Sequence, residues 1–149
     1  MSYNDLRKGR FSSSNQTYFI TTVVKGRVPY FADYFLGRKV VIEMRRLHDE
    51  KLVQSIAWVL MPDHLHWVFQ LGDSHDLSTT MRLFKGRSAN KVNEALIRQG
   101  PIWQKTYFDR AIRDNEDIKN ISRYLVANPL RSGLVKNIGE YPLWDAIWL

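Results

Sequence analysis

Two runs of aliphatic, β-branched and aromatic residues in the middle of the chain are separated by only two residues. The runs are LVQSIAWVLM at 52–61 and HLHWVFQL at 64–71, and the linker is Pro62-Asp63. Both runs have the composition of strands, and proline and aspartate are typical turn residues. So short a connection joins antiparallel neighbours, because parallel strands need a crossover of about a dozen residues. The chain must therefore fold around an antiparallel hairpin.

The segments on either side of this hairpin show the same pattern, a strand connected to it by a helix. In chain order, the predicted elements are a strand at 17–24, a helix at 32–50, the hairpin, a helix at 77–98, a strand at 102–112 and a helix at 113–128. Ser74 or Asp76 would cap the second helix, which would end near Gly100. Pro129 would stop the last helix.

The order β-α-β-β-α-β-α predicts an α+β fold. Its first six elements match the ferredoxin-like arrangement, a four-stranded antiparallel sheet with helices on one face, and an additional C-terminal helix would carry Tyr124. With 149 residues, we expect one domain over 1–149, with a basic arm at 1–16 and a tail at 136–149. Three apolar residues of the tail are expected to pack back on the domain: Trp144, Ile147 and Trp148.

Composition narrows the classes of function. The absence of cysteine excludes disulfides, thiolate metal sites and cysteine nucleophiles. The N-terminus lacks the apolar segment of a signal peptide, and no apolar run is long enough to span a membrane, so we expect a cytoplasmic protein. A net charge of +7 suggests an anionic partner, most commonly nucleic acid. The same net charge would result if the excess of lysine and arginine merely aided solubility.

His64 and His66 project from the same face of the predicted third strand, because successive side chains of a strand alternate between faces. Two imidazoles at this spacing can reach one metal ion. With only two fixed ligands, such a site needs a third ligand and leaves positions open for a substrate oxygen. Histidines on an exposed sheet face are also common without any function, and the spacing alone does not decide between the two interpretations.

The last helix carries Tyr124 and Asn128, which are four residues apart and therefore share a face. If this helix lay over the histidines, the Asn128 carbonyl oxygen could be a third metal ligand and Tyr124 a nucleophile. A metal or a nearby cation must help to deprotonate the tyrosine. Lys119 and Arg123 are cations on the same helix, and the sequence does not show that either one reaches it. The alternative is structural: a tyrosine beside a core stripe usually packs, and an asparagine before proline usually ends a helix.

An ordered set of motifs resembles a known family. MPDHLHWVFQ is similar to the histidine-hydrophobe-histidine (HUH) motif of single-tyrosine HUH endonucleases. WQKTYFDRAIRD followed by YLVANPLRSGLV resembles the region that carries their tyrosine, and the combination resembles the bacterial REP-associated tyrosine transposases over about residues 16–135. The resemblance implies that Tyr124 attacks a phosphate in single-stranded DNA and becomes joined to its 5′-phosphate. It also implies that His64, His66 and Asn128 hold Mg²⁺ or Mn²⁺.

The implied substrates are repetitive extragenic palindromes, which fold as hairpins, and the implied site of action is the bacterial nucleoid. Two other classes stay open. One is a non-catalytic relative that binds DNA hairpins without cutting them, and the other is an RNA-binding ferredoxin-like domain that stacks bases on its sheet. The chain would act as a monomer or a homodimer, and whether Tyr124 works with histidines of its own chain is also open.

Basic residues near these elements are candidate phosphate contacts. They are Arg7, Lys8, Arg10, Arg82, Lys85, Arg87, Lys91, Arg110, Arg113 and Arg131. Four aromatic residues are candidate platforms for stacked bases: Tyr18, Tyr30, Trp103 and Tyr107. For each charge the alternative is an ordinary solvated face, and for each ring it is the core. We expect Trp58 and Trp67 in the core.

Overall fold

The computed structural model describes residues 13–147. Its strands are β1 (Thr17–Val23), β2 (Val53–Met61), β3 (His64–Leu71), β4 (Phe108–Ile112) and β5 (Trp144–Ala146). Its helices are α1 (Tyr34–Asp49), α2 (Leu77–Leu96), α3 (Asn115–Val126) and the single turn α4 (Asn128–Arg131). Short 3₁₀ turns cover Lys25–Arg27, Tyr30–Ala32 and Ile138–Glu140. None of the helices within 13–147 is long and apolar enough to cross a membrane.

The strands form one antiparallel sheet in the order β4-β1-β3-β2-β5. The first four strands have the predicted ferredoxin-like order, and β2 and β3 form the predicted hairpin. The fifth strand corrects the predicted looped tail. Residues Trp144–Ala146 pair with Ala57–Val59 on the free side of β2. A free strand side presents unpaired backbone groups, and the returning tail satisfies some of them.

One face of the sheet packs against α1 and α2 and holds the larger core. Trp67 and Phe69 of β3 are completely buried on this face, as is Phe84 of α2. The Trp67 indole nitrogen donates to Ser55 Oγ at 2.9 Å, so its one polar group is satisfied inside the core. Trp67 is therefore core as predicted, and Trp58 is partly buried against the same cluster.

The last long helix lies over the opposite face. Ile118 and Leu125 of α3 pack into a second cluster with Val59 of β2 and Val68 of β3. Val68 lies two residues after His66, and strand alternation therefore gives it the same face as both histidines. The condition on which the predicted site depended, that the last helix lies over the histidine face, is therefore met.

The observed element boundaries differ from the predicted ones by one or two residues at several ends, and by more at the start of the fourth strand. The fourth strand begins at Phe108 rather than 102, because the preceding segment forms only one isolated bridge, between Val24 and Trp103. α2 ends at Leu96, where Ile97 takes a left-handed conformation with φ of 53°. Pro129 ends α3 as predicted but also lies in the short α4, where a proline fits the first turn.

Aspartates cap the three long helices. The side chain of Asp33 accepts from backbone N–H groups of α1, that of Asp76 from α2, and that of Asp114 from α3. Such caps satisfy amides that have no partner within the helix. The capping prediction for α2 is therefore confirmed for Asp76.

The tail is held by specific contacts as well as by strand pairing. Leu143 is buried in the larger core and lies against Gly37 of α1. The Tyr141 hydroxyl donates to the Leu60 carbonyl oxygen. Trp144 is half-buried, as expected, but Ile147 is 64% exposed, so the prediction that it packs is wrong. Ile147 follows the last paired residue of β5 and has no strand beyond it to pack on. Trp148 lies outside the described residues.

Candidate active site

The two histidine rings lie beside each other on the face that α3 covers in part. Their centroids are 4.8 Å apart and their planes are nearly perpendicular. His66 is flanked by Thr21 on β1 and Val59 on β2. His64 begins β3, directly after the turn. The central position of β3 in the sheet holds both backbones rigidly, which is what a preorganised metal site requires.

The ring of His64 is oriented by its neighbour in the turn. His64 Nδ1 lies 2.7 Å from Asp63 Oδ1. Burial acts to raise the pKa of Asp63, but the hydrogen bond and charge of His64 and the nearby Arg27 outweigh it and lower that pKa below its usual value. Asp63 is thus a carboxylate that can only accept, so Nδ1 carries the proton. In its neutral form the ring presents the Nε2 lone pair away from the turn.

The ring of His66 is held from the adjacent strand. His66 Nδ1 lies 2.8 Å from Thr21 Oγ1. Burial, together with the charges of His64 and Arg131, lowers the pKa of His66 to about 4. His66 is therefore neutral near neutral pH. When its Nδ1–H donates to Thr21, its Nε2 lone pair is available to a ligand.

The C-terminal end of α3 places Tyr124 at this face. Leu125 and Val126 are buried against the sheet, and Tyr124 beside them is 65% exposed. Its hydroxyl has no hydrogen-bond partner within residues 13–147. Asn128 is half-buried at the start of α4. The structural alternative for Tyr124, packing into the core, is therefore wrong, because its ring lies on the surface.

Arg131 connects these residues. Its guanidinium carbon lies 3.7 Å from the centroid of the Tyr124 ring. One of its terminal nitrogens donates to the Tyr124 carbonyl oxygen, and the other lies 3.4 Å from Asn128 Oδ1. The same charge is close enough to His66 to lower its pKa. The predicted nucleophile and the histidines thus share one arginine as a neighbour.

The groups at this face suit a divalent ion with open positions. Two imidazole nitrogens and one amide oxygen are the donors, and both imidazoles already have oriented Nδ1 atoms. Residues 13–147 hold no cluster of three or more histidine, cysteine or carboxylate side chains that could bind a metal. A third protein ligand within this part of the chain would therefore be of another kind, and the amide oxygen of Asn128 is the one predicted from the sequence. The residues fit such a group, and the absence of thiolate favours Mg²⁺ or Mn²⁺, although imidazole also accepts zinc.

Comparison with known proteins identifies the family. Residues 12–128 match the family described as "Transposase IS200 like", which covers most of the chain. This chain belongs to the IS200-like transposase family. The two histidines and Tyr124 all lie within the matched region, and the resemblance inferred from the motifs is confirmed.

Relatives of this transposase support the same grouping. A Haemophilus influenzae protein that carries the name REP-associated tyrosine transposase is 30% identical over 136 residues, covering 84% of this chain and 76% of the relative. The REP-associated tyrosine transposase of Escherichia coli K12 is 26% identical over 137 residues, covering 89% and 78%. A solved REP-associated tyrosine transposase bound to a REP hairpin superposes with a TM-score of 0.74 at 23% identity, covering 91% of this chain and 79% of that one. The solved protein and this chain therefore have the same fold.

The predicted phosphate contacts of the transposase fall into separate groups. Arg110 and Arg131 are exposed on the histidine face, and Arg113 is exposed just after β4. The residues predicted on α2 belong to the helix layer on the opposite face of the sheet, where Arg82 and Lys91 are exposed. Arg7, Lys8 and Arg10 lie outside the described residues.

Two of the predicted α2 contacts have structural roles. Lys85 Nζ donates to the carbonyl oxygens of residues 104, 105 and 106 at 2.8–3.2 Å. Arg87 donates to both carboxylate oxygens of Glu50 on α1, at 3.0 and 3.2 Å. Neither side chain is a free phosphate ligand, because each already satisfies acceptors of the fold. The sequence could not show this, since the acceptors are distant in the chain.

The predicted stacking platforms are also corrected. Tyr18, Trp103 and Tyr107 are buried, so their faces cannot receive a base. Tyr30 is half-buried, and the Arg98 guanidinium lies 5.8 Å from its ring centroid. Asp63 and Thr21 orient the histidines, and neither was predicted from the sequence. The role of Asp63 could have been predicted, because this residue directly precedes His64 in the sequence.

Proposed function

We propose that this transposase is a metal-dependent endonuclease and strand transferase for single-stranded DNA, acting through a 5′-phosphotyrosine intermediate on palindromic, REP-like hairpins. One observation carries the proposal. Tyr124 is exposed on a helix that packs over the sheet face of His64 and His66, and Arg131 contacts its ring while lowering the pKa of His66. The proposed nucleophile, Tyr124, and the candidate metal ligands therefore lie on the same side of the sheet.

In the proposed reaction, Tyr124 Oη forms a bond to the scissile phosphorus and the bond from phosphorus to the 3′ oxygen breaks. The phenolic proton is lost to solvent or a base, and the leaving oxygen takes up a proton to become a 3′-hydroxyl. The DNA 5′-phosphate stays esterified to Tyr124. A 3′-hydroxyl can reverse the step, because the phosphotyrosine keeps the energy of the broken diester, and no nucleotide cofactor is needed.

His64, His66 and Asn128 would hold the divalent ion in this proposal. A bound Mg²⁺ or Mn²⁺ would polarise the phosphate oxygens and offset the charge that develops there. The chain's own residues supply the rest. Asp63 and Thr21 orient the imidazoles, and Arg131 places a permanent positive charge against Tyr124. That charge favours an anionic phosphate and phenolate at the same place.

The hairpin substrate is supported by a relative rather than by this chain. The matched REP-associated tyrosine transposase was solved with a REP hairpin, and the net charge of +7 here suits DNA. Within one chain Arg131 stacks on Tyr124 and lowers the pKa of His66, which supports cleavage by a tyrosine and histidines of the same subunit. Its place of action would be the bacterial cytoplasm, at the nucleoid.

A denaturing gel tests the proposal. End-labelled hairpins with varied single-stranded flanks are incubated with the protein and Mg²⁺ or Mn²⁺. The wild type should give a covalent protein–DNA band. Tyr124→Phe should abolish it and His64→Ala should greatly reduce it. Tyr34→Phe is the matched control, because Tyr34 is an exposed tyrosine on the opposite helix layer and should leave the band unchanged.

The alternative is a DNA-hairpin-binding domain derived from such a transposase. It would bind the same labelled hairpins in a fluorescence anisotropy titration and give no covalent band under any metal condition. Tyr124→Phe would then change nothing. The exposed Tyr124 beside oriented histidines favours the enzyme, since a pure binding domain has no need of that combination.

A further inference from the structure

The part of the histidine face that borders the edge strand carries an exposed aromatic ring. Phe108, the first residue of β4, is 52% exposed. It pairs with Thr21 of β1, and Thr21 pairs with His66 of β3. Directly paired residues of an antiparallel sheet share a face. Phe108, Thr21 and His66 therefore form one row across the sheet, leading from its edge to the candidate metal site.

The rings on this face are in contact with one another. Phe19 packs edge-on against Phe108, with centroids 6.2 Å apart, and edge-on against His66, with centroids 5.7 Å apart. His66 in turn contacts His64. Phe19 is half-buried, whereas Phe108 has an open face. Its position is thus braced by a neighbour that itself touches the histidine pair.

The charges around Phe108 point to a single-stranded nucleic acid. Arg110 lies two residues further along β4, pairs with Phe19 and so shares the face, and it is exposed. Arg131, which stacks on the Tyr124 ring, is exposed as well. Proteins that bind single strands combine cations along the backbone with aromatic rings on which bases stack. A protein partner would favour a wider apolar patch, but apart from the half-buried Phe19 the neighbours of Phe108 on this face are Thr21 and Arg110.

We propose that Phe108 is the stacking platform for a nucleobase adjacent to the phosphate that Tyr124 attacks, with Arg110 binding a neighbouring phosphate. This inference rests on the proposed function for the location of that phosphate. A stacked base would hold the strand at a fixed distance from His64 and His66. Every base has a π-face, so Phe108 contributes strand position rather than sequence preference.

The fluorescence of a base analogue measures stacking on Phe108 directly. The hairpins of the gel assay are made with a single 2-aminopurine, moved one position at a time through the single-stranded flank. Stacking quenches its fluorescence. The titrations use Tyr124→Phe protein, so that no cleavage occurs. We expect quenching at one or two positions beside the cleavage site, its loss in Phe108→Ala, and its return in Phe108→Trp. Affinity should fall roughly tenfold in Phe108→Ala.

Phe35→Ala is the matched control, because Phe35 is 76% exposed on α1, in the helix layer of the opposite face. It should leave quenching and affinity unchanged. Equal quenching with and without the Phe108 ring would overturn the inference, as would quenching confined to positions far from the cleavage site or absent throughout. If quenching depends on Phe108 but Tyr124-intact protein forms no covalent band, the strand-transfer proposal fails and the stacking site stands.

Discussion

Arg131 stacks on Tyr124, with 3.7 Å between the guanidinium carbon and the ring centroid. The two residues lie on different helices, α3 and α4, which Ala127 joins. Arg131 follows Tyr124 by seven residues, and its hydrogen bond to the Tyr124 carbonyl oxygen holds the guanidinium over the ring. A permanent cation is thereby placed beside the proposed nucleophile.

Arg131→Ala should slow covalent adduct formation about 3- to 30-fold, the range expected for losing a cation over an aromatic ring. Single-turnover gels measure the rate, and anisotropy measures DNA binding separately. Arg113→Ala is the control. Arg113 is likewise an exposed arginine, but it follows β4 and makes no contact with Tyr124 within residues 13–147. Equal slowing in the two variants would mean that Arg131 acts only as a general phosphate contact.

Asp63→Ala should weaken Mn²⁺ binding by about 10- to 100-fold, because the carboxylate fixes the tautomer and orientation of His64. Isothermal titration calorimetry on the free protein measures this without any DNA. Asp73→Ala, at an exposed aspartate in the loop after β3, should bind Mn²⁺ as the wild type does. Unchanged affinity in Asp63→Ala would show that His64 does not need this partner.

Lys85→Met should lower the free energy of unfolding by about 1–3 kcal/mol, since three carbonyl oxygens lose a charged donor. Arg82→Met, one turn earlier on α2 and exposed, should change it by less than about 0.5 kcal/mol. Urea unfolding followed by circular dichroism gives both values. If the two variants were equally stable, the contacts of Lys85 would contribute nothing to the fold.

Leu143→Ala should cost about 2–5 kcal/mol of stability, because Leu143 is 2% exposed and fills the space beside Gly37. Ile147→Ala, four residues later and 64% exposed, should be nearly neutral. The midpoints of thermal unfolding compare the two. A neutral Leu143→Ala would mean that the tail is only loosely attached.

Tyr141 should make stability fall at alkaline pH. Burial raises the pKa of Tyr141 to about 12 from its ordinary value of 10.0. Between these values the folded state retains the proton and the unfolded state releases it, so stability present below pH 10 is lost as the pH rises towards 12. Tyr141→Phe removes this group and should show a shallower loss in urea titrations across that window. Parallel curves for the two proteins would refute this.

Local patterns were enough to predict much of this protein. Alternation along a strand put His64 and His66 on one face, and the spacing of four on a helix put Tyr124 and Asn128 together. The hairpin followed from a two-residue connection. These properties depend on backbone geometry within one element, and the sequence carries that geometry directly.

Contacts between distant elements could not be predicted in the same way. Lys85 and Arg82 lie one turn apart on α2, yet only the fold brings three carbonyl oxygens to Lys85. Tyr107 and Phe108 are adjacent aromatics, and the edge position of β4 decides that the first is buried and the second exposed. The tail became a strand because β2 had a free side to pair with.

The amino-acid sequence by itself determined the order of the first seven strands and long helices, the family, and the candidate nucleophile and ligands. Only the tertiary structure decided that α3 covers the histidine face, that Arg131 lies on Tyr124, and which cations remain free for DNA. The physical reason is that each of these depends on packing between segments far apart in the chain. Burial and partner choice are properties of the whole core, and no local pattern of residues encodes them.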